Sequence, residues 1–100
     1  MKKYTVIITT TAEAELQAAY DWLAERTEHA ATWYNNILDA ILSLEHLPES
    51  HPAAREADDV GEPTYQLIVG NKIHGYRIIY HIDQDRVVIT HIRHAARMNF

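Results

Sequence analysis

The chain contains no cysteine, so neither disulfides nor thiolate metal sites can hold it together. No stretch approaches the roughly 20 consecutive apolar residues of a membrane-spanning helix. The Met1-Lys2-Lys3 start leads into a strand-like segment with no signal-cleavage pattern, and a cytoplasmic protein is expected. Internal repeats and low-complexity segments are also lacking, and 100 residues with 47% hydrophobic content suffice for one core but not two. A single domain over residues 1–100 is therefore expected. An excess of cations is missing as well: the formal net charge is −5, which argues against general affinity for nucleic acid.

That mean charge hides a division. Residues 1–63 hold four cations against twelve acids, a balance of −8, whereas residues 64–100 hold Lys72, Arg77, Arg86, Arg93 and Arg97 against Asp83 and Asp85, a balance of +3. Four of the seven histidines, His74, His81, His91 and His94, also lie in the basic part. An acidic helical portion beside a basic sheet allows local anion binding on an acidic protein.

Tyr4 to Thr9 is a short β-branched run and reads as the first strand. Thr10-Thr11-Ala12-Glu13 has capping-box spacing, with Thr10 as the expected N-cap. A helix follows whose apolar stripe is Ala12, Leu16, Ala19, Tyr20 and Leu23. Arg26 to His29 breaks the pattern. A second amphipathic helix is expected over Ala30 to Leu47, burying Tyr34, Ile37, Leu38, Ile41, Leu44 and Trp33, and stopped by Pro48. So short a connection makes the two helices antiparallel neighbours able to cover one sheet face. Glu49 to Pro63 is rich in turn formers and acids and reads as a loop, longer than most connections and thus suited to shape a functional edge.

Thr64 to Val69 is the second strand, and Gly70-Asn71-Lys72 the turn after it. Gly75 to Ile82 and Val87 to Arg97 then form two β-branched and aromatic runs separated by Asp83-Gln84-Asp85-Arg86, the pattern of an antiparallel hairpin. With the turn at Gln84-Asp85, Ile82 should face Val87, Tyr80 should face Ile89 and Arg77 should face Ile92. Strict alternation puts Arg77, Ile79 and His81 on one face with Val88, Thr90, Ile92 and His94. Arg77 and His94, with Arg97 just beyond, would then form an anion-reading or small catalytic surface. The expected fold is α+β, in the order β-α-α-β-β-β, with a twisted antiparallel sheet and a helical hairpin on one face.

Several of these residues also have purely structural readings. A strand-centre arginine is costly unless paired, so Arg77 can serve as an internal ion-pair or hydrogen-bond partner, and His94 can simply fix the end of its strand. Trp22, Trp33, Tyr20 and Tyr34 at helical spacing read as helix-pair packing, and Tyr80 as core. His91 and His94, three apart on a strand, point to opposite faces and cannot chelate together. No metal or cofactor is expected.

Ala12-x-x-Glu15-Leu16, Pro48 after the second helix, Tyr76-Arg77-Ile78-Ile79-Tyr80, and Val88-Ile89-x-x-Ile92-x-His94-x-x-Arg97 together resemble the RelE/ParE toxin superfamily of type II toxin-antitoxin modules, its ParE branch in particular. The resemblance implies a cognate antitoxin that wraps the toxin as helix and extended segment, giving a toxin-antitoxin hetero-oligomer. It also implies one of two targets. RelE-like members cut messenger RNA on the ribosome, and Arg77 and Arg97 match the two arginines of that mechanism by position, with His94 assisting proton transfer. ParE-like members poison DNA gyrase without known catalysis, and Arg77, Arg93, His94 and Arg97 are then the expected target contacts. The segment from Glu49 to Pro63 holds only Arg55 where RNA cleavage would need several phosphate-binding cations. Gyrase poisoning is therefore favoured, with RNA cleavage as the alternative and an inactive antitoxin-binding module as a third reading.

Overall fold

A computed structural model describes residues 2–55, 63–70 and 75–95. Its elements are β1 (Thr5–Ile8), α1 (Thr10–Ala24), α2 (Ala30–Ser43), a 3-10 turn (Pro48–Ser50), β2 (Thr64–Val69), β3 (Tyr76–Asp83) and β4 (Arg86–His94). The strands form one sheet in the order β1-β4-β3-β2. β3 pairs antiparallel with both β2 and β4, as expected of two successive hairpins, while β1 pairs parallel with β4. The sheet is thus mixed, because α1 and α2 carry the chain between β1 and the hairpins.

Ile78, Tyr80, Val87, Ile89 and Ile92 project from one sheet face into a core completed by Ala12 and Leu16 of α1 and Ile37 and Ile41 of α2, with Leu44 just beyond. Tyr80 is its largest fully buried side chain. Its ring stacks on Tyr65 at 5.6 Å, and its hydroxyl donates to the Pro48 carbonyl at 2.6 Å. Burial, followed by nearby Tyr65 and Glu49, pushes the Tyr80 hydroxyl pKa well above its usual value. A neutral phenol held in the folded state contributes its full share of stability below pH ~10 and loses it as pH climbs from there toward the folded-state value. Stability is therefore expected to fall by about 1.4 kcal/mol for the first pH unit or so above 10. Tyr80→Phe should flatten that alkaline limb in denaturant titrations at several pH values. Tyr4, whose hydroxyl donates to Glu49 Oε2 at 2.9 Å, is shifted in the same direction, chiefly by that bond.

Two helix boundaries differ from the sequence expectation. The N-cap of α1 is Thr9, not Thr10. The Thr9 N–H still donates to the Ile89 carbonyl at 3.1 Å, so its backbone remains part of the sheet. Its hydroxyl accepts from the Ala12 N–H at 3.2 Å and donates to the Ile89 carbonyl at 2.8 Å. One side chain thus caps the helix and ties it to β4. α2 stops at Ser43 instead of running to Leu47. The Glu45 carbonyl is taken by the Tyr4 N–H at 2.8 Å, and the ring of Pro48 disfavours helical backbone at Leu47.

Leu47 instead adopts a left-handed conformation at φ 51°, and the residue is 57% exposed. A branched apolar residue there has backbone strain and little burial to offset it. Leu47→Gly is expected to stabilise the protein by about 0.5–1 kcal/mol, the strain relieved less the added chain entropy, and a rise in Tm would show it. The β2–β3 connection makes a real demand for glycine: Gly70 has φ +92°, and a Cβ there would lie 3.1 Å from the Gly75 Cα.

Candidate functional site

The β3–β4 hairpin closes as expected near its turn, where Ile82 faces Val87 and Tyr80 faces Ile89, and Arg86 bonds Asp83 at 2.6 Å across the strands. Farther along, the register shifts. Ile79 faces His91, leaving Thr90 as an extra residue in a bulge. The Thr90 hydroxyl donates to the Ile79 carbonyl at 3.2 Å.

The shift reverses the faces beyond the bulge. Arg77 lies opposite Arg93, not Ile92, and Ile92 joins Ile78 on the helix side. His94 pairs with Tyr76 on that same side, in an aromatic row where Trp33 meets Tyr76 at 5.0 Å and Tyr76 meets His94 at 5.3 Å. Arg77 and His94 are therefore on opposite faces of the sheet, which corrects the expectation that they share one. His91, on the Arg77 face, is also opposite to His94. Arg97, Lys72 and His74 lie outside the described residues.

Arg77 differs from expectation in exposure too. It is 2% exposed, and its Nε–H donates to Gln66 Oε1 at 3.0 Å on β2. Its guanidinium is thus enclosed in the sheet and hydrogen-bonded to the neighbouring strand. Arg93 retains 19% side-chain exposure, and its Nε lies 3.9 Å from Glu15 Oε2. The same carboxylate accepts from the Ile92 N–H at 3.0 Å and lies 3.2 Å from His91 Nδ1. Sequence reasoning gave Glu15 no role at this end. The available signal was the apolar pair Ile89 and Ile92, three apart, which can share a face in a strand only if a residue between them bulges out.

The helical side offers two further features. A shallow groove of about 270 Å³ between α1 and α2 is lined by Gln17, Tyr20, Ala31, Tyr34 and Asn35, with the two tyrosine rings edge to face at 5.4 Å. Trp22 does not pack into the helix pair as expected. It is 54% exposed, with the Arg26 guanidinium 4.0 Å from its ring centre. Arg26 Nη1 also donates to the Trp22 carbonyl at 2.8 Å, closing the end of α1. Among the described residues no helix is long and apolar enough to cross a membrane.

This fold is similar to that of a solved chain from the chromosomal ParDE toxin-antitoxin system of P. aeruginosa. That chain superposes with a TM-score of 0.75 at 17% identity, over 94% of this chain and 98% of that one. At that identity the likeness establishes the fold. No curated protein matches. The family of ParE toxins of type II toxin-antitoxin systems, parDE, matches residues 6–99, and the chain belongs to that family.

Proposed function

We propose that this ParE toxin acts by binding and inhibiting DNA gyrase and is held inactive by a cognate antitoxin. The choice of binding over RNA cleavage is carried by the separation of Arg77 from His94. Of the three groups that the endoribonuclease alternative needs, one is buried and bonded to Gln66, and another faces the helices beside Tyr76. A phosphate cannot be gripped from both sides of a sheet at once. Target contact is assigned to the β4 end, where a protein surface, unlike a single phosphate, can meet groups on both faces: through Arg93, His94 and Arg97, with Arg77 supporting from within. The antitoxin is assigned to the helical side and the sheet edge. β1 is an edge strand that turns the backbone groups of Val6 and Ile8 outward, and the tyrosine-lined groove beside α2 accepts an apolar side chain.

The decisive experiment is a supercoiling assay with purified gyrase and purified toxin, run beside a translation extract probed for ribosome-dependent messenger RNA cleavage. Supercoiling should be inhibited, with relief on adding the product of the adjoining reading frame, and the messenger should stay intact. Arg93→Ala should weaken inhibition by roughly tenfold, about the 1.4 kcal/mol of one partly desolvated ionic contact, while Arg86→Ala should leave it unchanged. Cleaved messenger RNA with unaffected gyrase would overturn the proposal.

A further inference from the structure

The Ala12-x-x-Glu15-Leu16 segment divides its labour. Ala12 and Leu16 are buried in the core, at 0% and 3% exposure. Glu15, beside them on α1, reaches away to the edge of β4. There β1 has already ended: it pairs with β4 only as far as Ile8 and Ile89. Beyond Ile89 the β1 side of β4 is met by α1 instead of a strand. The Ile92 N–H, which another strand would otherwise satisfy, donates to Glu15 Oε1 at 3.0 Å.

One carboxylate thus engages three consecutive residues just past the bulge. Glu15 Oε1 and Oε2 lie 3.2 and 3.4 Å from His91 Nδ1, and Oε2 lies 3.9 Å from Arg93 Nε. Without the extra residue at Thr90, alternation from Ile89 would send His91 and Arg93 under the helices and Ile92 to the opposite face. The bulge also sets Arg93 directly across from Arg77, where two like charges repel, and Glu15 supplies negative charge beside the pair.

We propose that Glu15 is the positioning residue of the β4 end: its carboxylate pins the bulge and so determines the face on which Arg93 is presented. The functional consequence rests on the reading that the target is met at this end. The structural consequence does not.

The test uses the full chain with Glu15→Ala and with Glu15→Gln, the latter retaining an acceptor oxygen for the Ile92 N–H. Three readouts are followed: hydrogen exchange at the Ile92 amide, cross-strand NMR contacts between Arg77 and Arg93, and gyrase inhibition. In Glu15→Ala, Ile92 exchange should rise at least about tenfold, as follows from losing a hydrogen bond to a charged acceptor. The Arg77–Arg93 contacts should weaken, and inhibition should fall by a similar factor. Glu15→Gln should restore Ile92 protection to within about threefold of wild type and recover most of the inhibition. Wild-type exchange and register in Glu15→Ala would overturn the proposal, assigning the bulge to burial of Ile92 alone. If Glu15→Ala does not fold, Glu15→Met, of similar length and without an acceptor, takes its place, and wild-type Ile92 exchange and register in it would overturn the proposal equally. A wild-type chain that leaves gyrase untouched would refute the functional reading, while the exchange and register measurements would still decide the role of Glu15.

Discussion

Tyr80→Ala should leave the protein largely unfolded, or folded with a Tm lowered by tens of degrees. The side chain has no exposure, so truncation removes a full aromatic ring from the middle of the sheet and opens a cavity between β3 and the helices. Large-to-small substitutions of this kind cost about 3–5 kcal/mol, against a total stability of roughly 5–15 kcal/mol for a domain. Two further contacts go with it. The Tyr65 ring loses its stacking partner, and the Pro48 carbonyl loses the hydroxyl that fixes the 3-10 turn to the sheet. Tyr80→Phe separates these effects, since it keeps the ring and removes only the hydroxyl; its cost should be about 0.5–1.5 kcal/mol. Circular dichroism melts of both variants, with chemical denaturation at pH 7, provide the check. Equal stability of wild type and Tyr80→Ala would mean that Tyr80 is not the centre of the core.

Ile37→Ala should be the next most damaging change. Ile37 lies midway along α2 with no exposure, and it and Ile41 are the two buried residues of that helix in the core. The expected loss is about 2–5 kcal/mol, and at roughly 4–8 °C per kcal/mol for a domain near this size it should appear as a large fall in Tm. Leu42 supplies an internal control on the same helix. It is 58% exposed, so Leu42→Ala should change stability by no more than about 0.5 kcal/mol. If the two variants melted together, the assigned inner and outer faces of α2 would be wrong.

Much of the fold was legible because hydrophobic spacing is a direct record of which face is buried. Leu16 and Ile37 fall on helical stripes, and Thr64–Val69 is bounded by Pro63 and Gly70, so those elements were readable from periodicity and punctuation. The register near Gln84 was readable as well, since a tight turn fixes the first cross-strand pairs. Errors began where a local rule met a tertiary contact. Thr10 and Glu13 satisfy the spacing of a cap, yet Thr9 takes the position because its hydroxyl also reaches the Ile89 carbonyl, a residue 80 places away in the chain. Likewise Thr90 looks like any other strand residue. The bulge follows from Ile92 needing the core and from a carboxylate on a distant helix, and a strand read by alternation alone contains neither. The candidate site suffered most, because one inserted residue moved Arg93 to the face of Arg77 and left His94 on the other. Exposure was not legible at all: nothing in Tyr76-Arg77-Ile78 distinguishes a guanidinium in solvent from one bonded to Gln66.

Among the described residues β4 is the last strand in chain order, and it sits second in the sheet, holding β1 on one side and β3 on the other. The earliest strand therefore has nowhere to dock until the latest one has been translated, so during synthesis the helical hairpin must wait with its apolar side uncovered. Closure of the sheet, and burial of the helical hairpin against it, is therefore held back until β4 is available.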